Sequence, residues 1–191
     1  MLFGSFLVAT FLLGSIPTGL LLARRFGVDL RAVGSGNIGS ANAARALGKR
    51  WGAVVLVLDA GKGALPVMLA ASWFPPMQAS LVGVVAVLGQ IFSVFLKGRG
   101  GKGVATSLGA GLALAPIPAL CGAGMFVLLY GFTRIAAVGS LGGILTFPLF
   151  IWVLGQGAPP TYCFAGVVAV VVTIRHKDNL RRLLAGMENR V

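Results

Sequence analysis

Residues able to do chemistry concentrate in a few polar stretches of an otherwise apolar chain. Lys97–Thr106 reads KGRGGKGVAT and places Lys97, Arg99 and Lys102 among Gly98, Gly100, Gly101 and Gly103. Glycine tolerates positive φ and lets backbone N–H groups turn toward a ligand, so glycine alternating with Lys or Arg predicts a phosphate-holding nest. A second stretch, GSGNIGSANAAR from Gly34 to Arg45, offers Ser35, Asn37, Ser40 and Asn42 as hydrogen-bond donors and Arg45 as a bidentate fork. Asn42 and Arg45 lie three apart and share a helical face. A third stretch carries His176, the single histidine, with Asn179 three residues on. Histidine is the usual general acid or base near neutral pH. Asp59 and Lys62 sit three apart inside an apolar run, where charges are expensive and pair or line a polar cavity. They support a site or serve structure alone. Ser140 follows Arg134 near the start of another apolar run.

Each motif has a plainer reading. The cationic loop also fits an orientation signal, GSGNIG a turn before a helix, and His176 an interfacial side chain. GSGNIG matches the dinucleotide pattern G-x-G-x-x-G, but an apolar span precedes it where that motif needs a strand. The loop is not a P-loop either, because Leu96 replaces the first glycine and Gly103 follows Lys102. Neither loop is a nucleotide site by pattern, yet both are made to hold phosphate.

The elements that must position these residues are membrane spans. The 191 residues fit a single domain, 1–191; 57% are hydrophobic, only 10% are charged, and mean hydropathy is +0.94. A soluble domain carries about 25% charge, so the composition predicts an all-α polytopic membrane protein. The formal charge of +12 excludes nucleic acid as a partner only through its placement, because the cations sit between apolar runs. Cys121 and Cys163 read as small core residues, and neither a disulfide, a metal nor a cofactor is expected. The first apolar run has its arginines after it, the reverse of a secretory signal, and predicts a retained span.

Spans are expected at 2–23, 51–74, 78–96, 135–154 and 159–174. Residues 104–133 are one kinked helix or two short ones joined by a turn at Pro116–Pro118. Lys and Arg distribution decides between six spans and seven. With seven, every cation outside the spans faces one side; with six, Arg134 and the C-terminal cluster cross to the other. The positive-inside rule favours seven, two of them short, with the N-terminus outside and the C-terminus cytoplasmic.

Together, GSGNIGSANAAR at 34–45, KGRGGKGVAT at 97–106 and HKDNLRRLLAGME at 176–188, with LDAGKGALP at 58–66 and Ser140, resemble the acyl-phosphate-dependent glycerol-3-phosphate acyltransferases of bacterial inner membranes. The resemblance spans nearly the whole chain. It implies seven membrane helices, motifs gathered on the cytoplasmic side, and acyl transfer from a fatty acyl phosphate to the 1-hydroxyl of glycerol 3-phosphate. The products would be lysophosphatidic acid and phosphate, with no cofactor or metal. It implies partners too: both substrates, membrane lipid and the enzyme that makes acyl phosphate. By position it assigns Ser35, His176 and Asn179 to catalysis. Asn37, Asn42, Arg45, Gly100, Gly101, Lys102, Gly103 and Ser140 would bind substrate, with Asp59 and Lys62 in support. Gln90, Ser93 and Ala137 depart from the family pattern, so no role is expected of positions 90 and 137. Relatives that use thioester donors pair His with an Asp five residues on; here that position is Arg181. The alternative from another class is a small transporter for a phosphorylated anion, a reading weakened by the lack of any internal repeat.

Overall fold

Proline and glycine divide the apolar sequence into helices. A computed structural model describes residues 1–190, one short of the expected domain end at 191. Among them are ten α-helices, a single 3-10 turn at Val94–Leu96, and no strand. They are α1 (Leu2–Ser15), α2 (Thr18–Arg24), α3 (Ser40–Leu47), α4 (Lys49–Trp73), α5 (Pro76–Ile91), α6 (Val104–Leu114), α7 (Pro116–Thr133), α8 (Ala136–Val153), α9 (Pro159–Arg175) and α10 (Lys177–Leu184).

Five stretches are long and apolar enough to cross a membrane: Leu2–Arg24, Lys49–Trp73, Pro76–Leu96, Pro116–Thr133 and Ala136–Val153. α6 and α9 are shorter, at 11 and 17 residues. Large apolar side chains such as Val57, Leu65, Met68, Val127, Phe132 and Trp152 stay exposed around the bundle, as on a surface that faces lipid. α1 packs on α5, α4 on α6, and α7 on α8. Small residues permit these contacts. At α4–α6, a Cβ on Gly63 would overlap the Thr106 carbonyl and one on Gly109 the Ala60 carbonyl, so the two backbones touch.

Three expectations are corrected. The span 2–23 is broken between Ser15 and Thr18, because Pro17 lacks an N–H and cannot continue the helix. The third span is α-helical only to Ile91, where loop amides take the carbonyls of its last turn, and it finishes in the 3-10 turn. Residues 104–133 do form two helices, but they part at Ala115 and only α6 is short. α7 runs 18 residues, so the second short helix is α9.

Candidate active site

The first glycine segment is shaped by one buried side chain. Asn42, 1% exposed on α3, donates through Nδ2 to Leu30 O (2.9 Å) and Val33 O (3.1 Å) and accepts from Ser35 N at Oδ1 (3.0 Å). All three bonds go to the chain that precedes its own helix, so Asn42 is a positioning residue for 30–35. Asn37 turns the chain into α3 by accepting from Gly39 N (3.2 Å).

The second segment differs from the expected nest. The N–H groups of Gly98, Arg99, Gly100 and Gly101 all point inward, to Ser93 O, Leu96 O, Ile91 O and Gln90 O at 2.9–3.0 Å. Gly100 and Gly101 therefore cap the C-terminus of α5, supplying donors to carbonyls that a helix end leaves orphaned. A Cβ on Gly100 would overlap the Gln90 carbonyl and press on that of Ile91, so no larger residue can close this cap unshifted. The free donors lie one step later. Gly103, in the left-handed region, is the N-cap of α6, and the first amide to bond back is Ser107 N, to Gly103 O (2.8 Å). The amides before it, at the positive end of the helix dipole, face outward beside Lys102.

Arginines that flank the other two motifs tie this loop down. Arg31 donates to Arg99 O (3.0 Å) and Arg175 to Gly100 O (3.5 Å).

A cavity of about 560 Å³ opens where the segments meet. Ser35, Asn37, Asn42, Arg45, Asp59, Lys102, Gly103, Ser140, His176 and Asn179 line it. Gly100, Gly101 and Lys62 stand behind its wall. The first turns of α3, α6, α8 and α10 all contribute residues to the lining. Arg45 Nε and Thr106 Oγ1 are buried there without a partner in the protein. Beyond Ser140 the lining becomes apolar, with Ala119, Ala123, Phe126, Val127, Ile144 and Phe147 from α7 and α8. One end suits a phosphate and the other a hydrocarbon chain.

The two titratable groups beside this polar end are tuned. Burial pushes the Lys102 ammonium down to about 8; Glu188 opposes the shift, and Arg182, Arg45 and Arg175 add to it. Burial, then the nearby Lys102 charge, pushes the His176 imidazole down to about 4. His176 is thus neutral near pH 7. Its Nδ1 lies 2.8 Å from Val172 O, a carbonyl that can only accept, so Nδ1 carries the proton and Nε2 keeps its lone pair. Asn179 Nδ2 donates to Glu188 Oε1 and Arg182 Nε to Glu188 Oε2, each at 2.9 Å. Ser140 donates to Ala136 O of its own helix (2.8 Å), leaving its oxygen to accept.

Behind the cavity, Asp59 and Lys62 pair at 2.6 Å, both buried. Lys62 Nζ also donates to Ile16 O (2.7 Å), a carbonyl at the Pro17 break that accepts from Thr18 N as well, and to Gln90 Oε1 (2.7 Å). Gln90 Nε2 donates to Asp59 Oδ2 (3.3 Å), and Thr18 Oγ1 bonds Asp59 Oδ1. Sequence reasoning missed Gln90, Glu188 and Arg175. Gln90 carried a signal, since a carboxamide is out of place in an apolar run; Glu188 is one of only four acids in a chain of this charge.

The family model for glycerol-3-phosphate acyltransferases matches residues 4–186. The chain belongs to that family. It is 45% identical over 192 residues to the glycerol-3-phosphate acyltransferase of Trichlorobacter lovleyi, covering 98% of this chain and 97% of the relative. It is 42% identical to that of Geobacter sulfurreducens, covering 94% and 93%. Among solved structures it resembles PlsY (YgiH), an integral membrane glycerol 3-phosphate acyltransferase. The glycerol 3-phosphate form superposes with a TM-score of 0.95 at 36% identity, covering 100% of this chain and 96% of that one. For the lysophosphatidic acid form the values are 0.93, 34%, 100% and 95%. The chain is therefore an integral membrane acyltransferase of phospholipid biosynthesis, and the anion-transporter reading is set aside.

Proposed function

We propose that the cavity transfers a fatty acyl group from acyl phosphate to the 1-hydroxyl of glycerol 3-phosphate. What carries this reading is one space with Arg45, Lys102, His176 and Asn179 at one end and an apolar crevice at the other. Two phosphates and one acyl chain match that lining. An acyl phosphate is a mixed anhydride and already activated, so the protein needs only to orient the reactants and stabilise charge. The N-terminus of α6 contributes about 0.3–1 kcal/mol toward an anion, and the cations add to it.

In the reaction, the hydroxyl oxygen attacks the acyl carbon and forms the ester C–O bond. The carbon–oxygen bond to phosphate breaks, and the hydroxyl proton ends on the departing phosphate. Arg45 and Lys102 bind phosphate, with Gly103 and the first turn of α6 supplying backbone donors. Gly100 and Gly101 hold that turn in place. Ser35, Asn37, Ser140 and Asn179 orient phosphate and glycerol oxygens, and Asn42 holds the Ser35 turn. His176 at about 4 is a weak base, so Nε2 accepts a hydrogen bond from the hydroxyl and aims it.

Residues 1–191 form one integral domain with seven spans, counting α1–α2 as one and α6 and α9 as the short ones. The N-terminus lies outside, and the C-terminus and active site face the cytoplasm of a bacterial inner membrane. The charge distribution supports that orientation. A soluble enzyme that makes acyl phosphate would deliver the donor to this face. Purified protein given acyl phosphate and glycerol 3-phosphate is expected to release lysophosphatidic acid and phosphate in equal amounts. Transfer from an acyl thioester but not from acyl phosphate would overturn the donor assignment.

A further inference from the structure

Gln90, the penultimate residue of α5, bonds two parts of the fold, through its side chain on one side and its backbone carbonyl on the other. Its side chain closes the Asp59–Lys62 pair, accepting from Lys62 Nζ (2.7 Å) and donating to Asp59 Oδ2 (3.3 Å). The reverse orientation would set an amide NH₂ against an ammonium and a carbonyl against a carboxylate. The ion pair therefore locks the amide in one direction. Lys62 Nζ then has three strong acceptors, Asp59, Ile16 O and Gln90, one for each proton. Such a buried network is rigid when fully satisfied and costly when one member is lost.

The Gln90 backbone leads the other way. Its carbonyl takes the Gly101 N–H (2.9 Å), and that of Ile91 takes the Gly100 N–H (3.0 Å). The preceding carbonyl, Gly89 O, is capped by Ser15 Oγ (3.2 Å), beside the break between α1 and α2. Lys102 is the next residue in the chain after Gly101, and Gly103 then starts α6. One residue, Gly101, stands between the ion-pair network and the loop cation, and its N–H is held by Gln90 O. Gln90 and Asp59 both reach the cavity wall, while Lys62 stands behind it.

We propose that Gln90 is the positioning residue through which the buried Asp59–Lys62 pair sets the place of Lys102 and the first turn of α6 against a substrate phosphate. This rests on the reading of Lys102 as a phosphate ligand. Gln90→Met keeps the length of the side chain and removes both hydrogen bonds. It leaves Lys62 one acceptor short and Asp59 one donor short, so the end of α5 loses its tie to the ion pair.

The test is a double-mutant cycle on the purified full-length chain, with KM and kcat for both substrates. Lys102→Met comes first and identifies the substrate whose KM depends on that cation; if neither KM rises, the phosphate-ligand reading fails, and this inference with it. Given a rise, Gln90→Met is expected to raise the same KM about tenfold with kcat changed less than about threefold. Added to Lys102→Met it should then raise KM by less than about twofold, because both act on one contact. Additive effects, or a loss confined to kcat, would overturn the role of Gln90 while leaving Lys102 in place. Gln90→His guards against a Met variant that fails to fold. An imidazole offers one donor and one acceptor on opposite edges, so its KM should stay within about threefold of the parent. A folded His variant with the KM of Lys102→Met would contradict the proposal.

Discussion

Residues 30–39 and 97–103 both interleave glycine with polar side chains, yet one is held by a side chain and the other mainly by its own backbone. Asn42 gathers Leu30 O, Val33 O and Ser35 N around a single buried amide. In the second segment the glycine N–H groups bind the end of α5, and a side chain, Lys102, is left facing the cavity. The first segment should therefore break when a side chain is lost, the second when one is added.

The largest effect is expected at Gly100, where a methyl group meets the Gln90 and Ile91 carbonyls. Gly100→Ala should displace Lys102 and lower kcat/KM about 100-fold, read in steady-state assays. Asn42→Ala leaves the buried Leu30 O and the half-buried Ser35 N short of a partner, while Val33 O keeps the Gly36 N–H. The substitution should lower the midpoint of thermal unfolding and cut kcat/KM about tenfold, at about 1–3 kcal/mol for each unsatisfied group.

Protonation sharpens the contrast further. Lys102 in the free enzyme carries its charge below about 8 and loses it above, so phosphate binding is expected to weaken as pH rises. The kcat/KM profile should fall on the alkaline side near that value, and Lys102→Arg should remove the fall because a guanidinium stays charged. His176 is shifted in the same direction but titrates in a lower range. Its depressed pKa keeps it neutral down to about 4, so the NMR signals of this single histidine should show the Nδ1-protonated neutral tautomer at pH 6.

The smallest effect belongs to Gly98. It has positive φ but open space around it, so Gly98→Ala should cost about 1–2 kcal/mol of local strain and change kcat/KM less than about twofold. A Gly98→Ala enzyme as crippled as Gly100→Ala would mean the whole loop is uniformly sensitive and the cap at α5 is not special.

Much of this molecule was legible in the sequence because its signals are local. Composition named the membrane, Pro116 marked the division of 104–133, and glycine with cation marked the polar face. What stayed hidden depends on contacts distant in the chain. Pro17 was in plain view, but its break matters because Lys62, from another helix, uses the Ile16 carbonyl there. Glycine next to cation predicted amides turned toward an anion. That α5 ends five residues before its apolar run, and draws those amides to itself, cannot be read from residues 97–103 alone. Gln90 departs from the family pattern and was assigned nothing, yet it joins the ion pair to the loop. Glu188 is legible as an acid but not as the partner of Asn179 and Arg182.

The central claim is that phosphate binds between Arg45, Lys102 and the first turn of α6, and not along the outer cations of the same loop. A structure determined with glycerol 3-phosphate and a non-reactive acyl phosphonate tests it most directly. A phosphorus group is expected with oxygens about 3 Å from Lys102 Nζ and the α6 amides, with the acyl chain between α7 and α8. Both phosphorus groups seated against Lys97 and Arg99, with the cavity holding neither, would contradict it.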